Sequence, residues 1–178
     1  MMISRIGSKV ALTAATALAL SAAAAVAVQA PASAATGTLT YSCTLPILGS
    51  QAVTVTGSFT ASPNPATAGS AVGFALDITS LSLTSPLAIN SWSAAADVAG
   101  SGAESSAFQV TGSGGAVPAN TPITDADLTG SWTPTTSGTD DFVLGDITID
   151  ANIELLGNVT VPCTPTGTQP VAETLTVN

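Results

Sequence analysis

The sequence predicts an all-β protein built as a single antiparallel β-sandwich of about seven to nine strands. Three observations support this fold class. Short runs alternate apolar and polar residues, which places one face of each strand in a core. Gly, Pro and Asn stand between these runs, where turns are expected. Beyond residue 34 the chain is rich in Thr, Ser, Gly, Ala and Val, a composition that favours strands over helices.

The N-terminal segment has the three-part pattern of an export signal. Arg5 and Lys9 precede an apolar run at residues 10–28, and the small residues 32–34 fit a cleavage site. An uncleaved membrane anchor is the alternative, although an Ala-rich run spans a bilayer poorly. We therefore expect a cleaved signal peptide at residues 1–34 and a domain that folds outside the cell.

The first strands are the most regular. Leu39, Tyr41 and Cys43 alternate with polar residues and predict an opening strand. Residues 51–61 place valines and a phenylalanine on one face and hydroxyl residues on the other. After turn-forming residues at 62–65, residues 72–78 repeat the alternation.

The middle of the chain is less regular. Ser85 and Pro86 resemble the N-cap and first residue of a helix, so residues 87–92 are predicted to form a short helix or turn that crosses between the sheets. Two further strands are indicated, one at residues 108–110 and one at residues 128–132. No pattern fixes the strand order in residues 85–115.

The end of the chain predicts a closing hairpin. Residues 147–155 alternate regularly, and Gly157 and Asn158 are predicted to form the turn into residues 159–163. Residues 166–178 are expected to be a loose tail or, at residues 174–177, an edge strand. The predicted organisation is a signal peptide at 1–34, an immunoglobulin-like sandwich at 35–165 and this tail or edge strand at 166–178.

The two cysteines, Cys43 and Cys163, stand near opposite ends of the predicted sandwich and both fall on apolar strand faces. In an oxidising exterior an even pair at inward positions predicts a disulfide. Two free buried thiols, or a redox pair, are the alternatives, but the chain lacks a C-x-x-C motif. The disulfide would join the first strand to the last.

The charge balance excludes several functions. No Lys, Arg or His follows residue 9, whereas all eleven carboxylates lie beyond residue 76, so the exported part has a side-chain charge near −11. It offers no imidazole base, Schiff-base lysine or arginine clamp, and it would repel nucleic acid and anionic lipid. We expect no enzyme activity. We also expect crowding to raise carboxylate pKa values, which would stabilise the fold as pH falls from 8 to 5.

Acidic loops provide the candidate metal site. Asp140, Asp141 and Asp146 cluster around glycines and are a candidate Ca²⁺ site, since Ca²⁺ binds carboxylate oxygens. Asp125 and Asp127 form a second acidic pair. A solvated acidic loop is the simpler interpretation of both groups, and we expect no other cofactor.

The two tryptophans have different sequence contexts. Trp132 follows apolar Leu128 in a predicted strand and is expected to pack in the core. Trp92 lies among polar residues and is the better candidate for an exposed ligand contact.

The residues around both cysteines resemble a known family. Tyr41-Ser42-Cys43-Thr44-Leu45-Pro46 near the start, and Val161-Pro162-Cys163 near the end, resemble secreted actinobacterial β-sandwich domains of unknown function. The resemblance covers most of the chain after the signal peptide. It implies an exported domain with a disulfide between its ends, and it carries no catalytic residues over.

The expected function is that of a secreted, noncatalytic module of the cell envelope, structural or adhesive. The alternative is a Ca²⁺-assisted carbohydrate-binding module or a carboxylate-based glycan hydrolase, which would need two carboxylates about 5–9.5 Å apart. The expected partner is a cell-wall glycan or an extracellular protein, not nucleic acid. We expect the protein to be secreted, free or wall-associated, without stable membrane insertion after signal cleavage.

Overall fold

The computed structural model describes residues 35–46, 48–124 and 126–178. The chain divides into two units, Met1–Ala30 and Pro31–Asn178, and all described residues belong to the second. The signal peptide predicted for residues 1–34 lies outside the described residues, as does Asp125 of the second acidic pair.

The described residues form nine β-strands and no helix. Most strands alternate inward apolar and outward polar side chains, and the inward ones form a common core. The strands are β1 (Ala35–Leu45), β2 (Gly49–Ser62), β3 (Val72–Leu81), β4 (Ile89–Gly102), β5 (Ser106–Gly114), β6 (Ala126–Trp132), β7 (Gly138–Ile153), β8 (Gly157–Pro165) and β9 (Glu173–Val177).

Hydrogen bonds join all nine strands into one antiparallel sheet in the order β4-β5-β6-β3-β2-β1-β8-β7-β9. Because β4 also pairs with β7, the sheet folds back on itself. One layer contains β6, β3, β2 and β1, and the other contains β5, β4, β7, β8 and β9. The all-β antiparallel prediction is confirmed, and the arrangement is consistent with a β-sandwich.

The two layers meet at two narrow corners. At one corner β1 and β8 pair over three positions, which include Cys43 opposite Cys163. At the other, β5 and β6 share a single pair, Thr111 with Thr129. Cys43 and Cys163 are both buried and form the predicted disulfide. The covalent bond therefore reinforces a corner that has few hydrogen bonds.

The helix predicted for residues 87–92 is wrong. From Ile89 onward these residues belong to β4, which pairs with β7 on one edge and with β5 on the other. Ser85 does accept a hydrogen bond from the backbone N–H of Leu87 at 3.2 Å, as in a local turn, but no helix follows. Pairing on both edges satisfies the backbone polar groups of the strand and outweighs the local capping pattern.

The closing hairpin exists, but its turn lies earlier than predicted. Residues 154–156 connect β7 to β8, while Gly157 and Asn158 already pair with β7. Leu155 and Gly157 have positive φ values of 68° and 75°. The glycine therefore supplies left-handed backbone at the start of β8, and Leu155 takes the other left-handed position.

The C-terminal segment contains strand β9, which pairs with the first part of β7. The backbone N–H of Ala66 donates a 2.8 Å hydrogen bond to the carbonyl of Thr176 on the other side of this strand. Leu175 and Val177 are buried in the core. Of the two alternatives that the sequence left open for this segment, the structure contains the edge strand.

Candidate functional site

An apolar cavity of about 100 Å³ opens at one end of the sandwich. The β1–β2, β3–β4, β5–β6 and β7–β8 connections meet at this end, and we call the opening the end cavity. It is lined by Leu45, Pro46, Leu48, Leu83, Thr84, Ser85, Pro86, Leu87, Ile89, Trp92, Ile123, Ile149, Ala151, Ile153, Leu156, Val159 and Val161.

The lining of the end cavity offers few hydrogen-bonding groups. Among the seventeen lining residues that the structure describes, only Thr84 and Ser85 carry hydroxyl groups, and none is charged. The Ser85 hydroxyl already accepts the hydrogen bond from Leu87. A ligand group inside the cavity must therefore be nonpolar, because a buried polar group without a partner is costly.

Backbone hydrogen bonds hold the rim of the end cavity in shape. Ile89 and Val117 exchange a pair of hydrogen bonds at 2.8 and 2.9 Å. Asn120 N–H donates to the Ser85 carbonyl at 2.7 Å, and Glu154 N–H donates to the Ala88 carbonyl at 2.9 Å. Three connections are thus fixed to one another, so the opening is formed before any ligand arrives.

Two smaller cavities continue the line inward between the sheets. A second cavity of about 30 Å³ shares Trp92, Ile123 and Ile149 with the end cavity. A third of about 70 Å³ shares Tyr41 and Val55, among others, with the second. Neighbouring cavities therefore share wall residues along the interior.

Tyr41 places a buried, neutral hydroxyl group in this interior. Its side chain is 1% exposed, and its hydroxyl has no hydrogen-bond partner among the described residues. Burial, together with the nearby negative charge of Asp146, raises the pKa of Tyr41 to about 12. The phenol therefore stays neutral across the physiological range and leaves the apolar character of the interior intact.

The structure changes the expected role of one of the two tryptophans. Trp92, the proposed exposed contact, is only 9% exposed. Trp132 is half-buried and packs against the core, where it was expected. Trp92 pairs with Gly114 across β4 and β5, and a side chain at Gly114 would overlap the indole ring. The absence of a side chain at residue 114 lets the ring pack inward, where it lines the end cavity. Trp92 is therefore a cavity wall and not an exposed platform.

The three aspartates of the candidate Ca²⁺ site do not converge. Asp140 is fully buried and accepts a 2.8 Å hydrogen bond from the backbone N–H of Glu104. Asp141 points to the opposite face of β7 and accepts one from the Thr174 hydroxyl at 2.7 Å. Asp146 is exposed, about 16 Å further along the strand at 3.3 Å per residue. Across the described part of the chain, no three acidic residues come together as metal ligands.

Glu104 accepts three hydrogen bonds from the β6–β7 connection. Its Oε2 atom receives the Thr135 backbone N–H at 2.8 Å, the Thr135 hydroxyl at 3.1 Å and the Thr136 backbone N–H at 3.2 Å. The bond from the Thr135 backbone is the main cause that lowers the pKa of Glu104, and desolvation partly opposes it. For this residue, the expectation that crowding raises carboxylate pKa values is wrong.

The lowered pKa of Glu104 predicts how the stability of the fold depends on pH. Because the folded pKa lies below the unfolded value of about 4.5, the ionised carboxylate stabilises the fold above that pH, and the stabilisation is lost as pH falls through the folded pKa. Glu104→Gln should therefore lose less stability than wild type between pH 6 and about 3. Urea unfolding at a series of pH values measures this difference, and parallel curves for the two proteins would contradict it.

A polar groove of about 570 Å³ lies on the outer surface near β4, β7 and β8. Asn90 Nδ2 donates to Asn152 Oδ1 at 2.7 Å, and Asn152 Nδ2 donates to Asn158 Oδ1 at 2.8 Å. Asp150, which also lines the groove, accepts a hydrogen bond from Thr160. The groove has amides and a carboxylate. Trp92 also borders it, but at 9% exposure its ring offers little surface on which a sugar could stack.

The residues that surround the end cavity were not predicted from the sequence. Leu48, Leu155 and Leu156 are 52%, 88% and 43% exposed, and we call them the tip leucines. Leu48 and Leu156 line the opening, and Leu155 is the chain neighbour of Leu156. The sequence does show leucines in the β1–β2 and β7–β8 connections, where polar residues are usual. Only the fold shows that these two connections lie side by side.

Comparison with known proteins adds no assignment. No protein-family model matches the chain, and no curated protein matches its sequence. The part of the chain that the structure describes contains no helix that could cross a lipid bilayer. The disulfide is compatible with an extracellular protein.

Proposed function

We propose that this protein is an exported, noncatalytic binding module that takes up a hydrocarbon group in its end cavity. The observation that carries the proposal is the composition of the cavity wall, in which fifteen of the seventeen described residues are apolar and none of the seventeen is charged. A peptide segment would bring backbone N–H and C=O groups that this wall cannot pair. An alkyl or acyl chain has no such groups and gains free energy on leaving water.

The interior behind the opening supports a chain-like ligand. The three cavities share walls in sequence, so a flexible hydrocarbon can extend inward past Trp92 by displacing side chains into neighbouring voids. The volume of the end cavity alone is smaller than the roughly 150 Å³ of an engineered apolar cavity that binds benzene. A ligand of a few methylene groups therefore fits without rearrangement, and a longer one uses the inner cavities.

The absence of basic side chains after residue 9 supports a noncatalytic role and a neutral ligand. An anionic head group would meet no counter-charge on this domain and would be repelled by its carboxylates. The expected ligand is therefore an uncharged or zwitterionic molecule with an aliphatic chain.

The proposal is tested with 1-decanol and a substitution that fills the cavity. Ala151 is buried, lines the end cavity and pairs with Trp92, so Ala151→Leu places a larger side chain in the void. We expect 1-decanol to bind wild type at one saturable site and to raise its melting temperature. Ala151→Leu should bind roughly tenfold more weakly or worse, because the occupied volume is no longer available to the ligand.

The matched control is Ala52→Leu, the same change at an exposed position on the outer face of β2. It should bind 1-decanol as wild type does. The unfolding midpoint without ligand is measured for both variants to show that each is folded. No saturable binding to wild type, or equal affinity for Ala151→Leu, would rule out the end cavity as the binding site.

A further inference from the structure

The tip leucines form an exposed apolar surface around the end cavity, and binding of a hydrocarbon group inside the cavity does not account for it. Three of the four large hydrophobic side chains that are exposed in the described residues lie at this end of the sandwich. The fourth, Val171, belongs to the β8–β9 connection away from the opening. The opening is therefore surrounded by apolar side chains that project into solvent.

Leu155 is the most informative of the three. It has a positive φ of 68°, a conformation that leucine rarely adopts and that glycine or asparagine adopts easily. It is also 88% exposed, so it gains almost no burial within the protein. Neither the backbone conformation nor the packing of this chain favours leucine at this position, whereas a contact with an external apolar phase does.

The charge distribution identifies the kind of surface that this end can approach. Among the described residues of the connections that meet there, Glu154 is the only charged one, and the sequence adds Asp125 at the end of the β5–β6 connection. The other described carboxylates lie on strands, except Glu104, which lies in the β4–β5 connection at the opposite end. A neutral lipid surface can therefore contact the tip without meeting the acidic body, whereas two copies of the chain would bring two polyanions together.

We infer that the tip leucines insert into the surface of an uncharged or zwitterionic lipid layer and place the end cavity at its hydrocarbon boundary. This inference rests on the proposed function and names the source of the hydrocarbon chain. Leu48 and Leu155 enter the layer from two adjacent connections, and Leu156 lines the path from the layer into the cavity. The attachment is peripheral and depends on buried apolar area, so added salt does not weaken it.

The test is flotation of the protein with phosphatidylcholine vesicles. Because all nine strands and the disulfide lie within residues 35–178, this part of the chain, without the N-terminal apolar run, is used. Leu155→Asn removes the apolar side chain and puts in its place a residue that tolerates left-handed backbone, so folding is preserved. We expect Leu155→Asn to lower the vesicle partition coefficient roughly tenfold, the effect of losing one inserted leucine.

The control substitution is Val171→Asn, which changes an exposed apolar residue of the β8–β9 connection away from the tip, 50% exposed against 88% for Leu155, and should leave partitioning unchanged. Vesicles that also contain phosphatidylglycerol should bind less protein, because their charge has the same sign as that of the domain. No flotation of wild type, or equal loss in both variants, would overturn the inference. Sedimentation that shows a dimer abolished by Leu155→Asn, without vesicle binding, would assign the tip to a second copy instead.

Binding of 1-decanol separates the two proposals. Leu155→Asn should bind 1-decanol as wild type does, because Leu155 does not line the cavity. If wild type floats with vesicles but does not bind 1-decanol, the proposed function fails and the tip is only an anchor. If it binds 1-decanol but does not float, the cavity is functional and the inference about the lipid layer fails.

Discussion

Replacing both Cys43 and Cys163 by alanine is expected to lower the free energy of unfolding by about 2–5 kcal/mol. The two residues are separated by 120 positions in sequence. The disulfide therefore closes a large loop in the unfolded chain, and the chain-entropy estimate for a loop of this length is about 4–5 kcal/mol. For a domain of this size, the melting temperature should fall on the order of 10 °C.

The position of the disulfide makes the loss larger than at a site within a regular ladder. β1 and β8 pair over only three positions, and Cys43 and Cys163 are one of the three pairs. Without the covalent bond, this corner of the sandwich depends on only three backbone pairs and on the packing of buried side chains beside it. We therefore expect β1 and β8 to separate first when the variant is heated.

Thermal unfolding with and without a reductant measures the effect. The reductant should lower the melting temperature of wild type toward that of the double variant and should not change the double variant itself. Hydrogen exchange on the double variant should show faster exchange in residues 41–43 than in the β2–β3 ladder. Equal melting temperatures for oxidised wild type and the double variant would contradict the stabilising role.

The fold class was predictable because strand alternation is a local property. Each of the regular strands shows it within a window of a few residues, as in residues 51–61 and 147–153. The strand β4 was missed because its burial pattern is interrupted by irregular pairing near Ile89 and between Ala96 and Val98. Only the pairing on both edges, which involves residues far away in sequence, makes this segment a strand.

The burial of Trp92 was unpredictable for a related reason. Its neighbours in sequence are polar, and this suggested exposure. The residue that decides its position is Gly114, which lies opposite it in β5 and leaves room for the ring. A cross-strand partner cannot be read from one sequence without the register.

The end cavity could be predicted only in part. The leucines at residues 45–48 and 154–156 were visible as apolar residues in connections, where polar residues are usual. That both connections border one opening follows from the β1–β8 and β7–β8 pairings, which bring the β1–β2 and β7–β8 hairpins to the same end. For the candidate acidic site, closeness in sequence suggested closeness in space. Alternation along β7 instead places Asp140 and Asp141 on opposite faces of the strand.

The aromatic cluster opposite the end cavity carries the second large prediction. Phe142 is fully buried, and its ring lies 4.8 Å from that of Phe74, 6.0 Å from that of Phe108 and 5.7 Å from that of Trp132. These rings come from β7, β3, β5 and β6, so Phe142 connects strands of both layers. Phe142→Ala is expected to lower the free energy of unfolding by about 3–5 kcal/mol, because the lost burial and the remaining void both destabilise the fold.

Two measurements show that this loss comes from the void and from ring contacts. Phe142→Leu, which keeps most of the volume, should lose clearly less stability than Phe142→Ala in urea unfolding. Benzene should stabilise Phe142→Ala by more than it stabilises Phe142→Leu or wild type, since only the alanine variant gains a new apolar void. A loss below about 1.5 kcal/mol in Phe142→Ala would contradict this account. It would mean that the neighbouring rings collapse into the space and that the two layers can move closer together at this end of the sandwich.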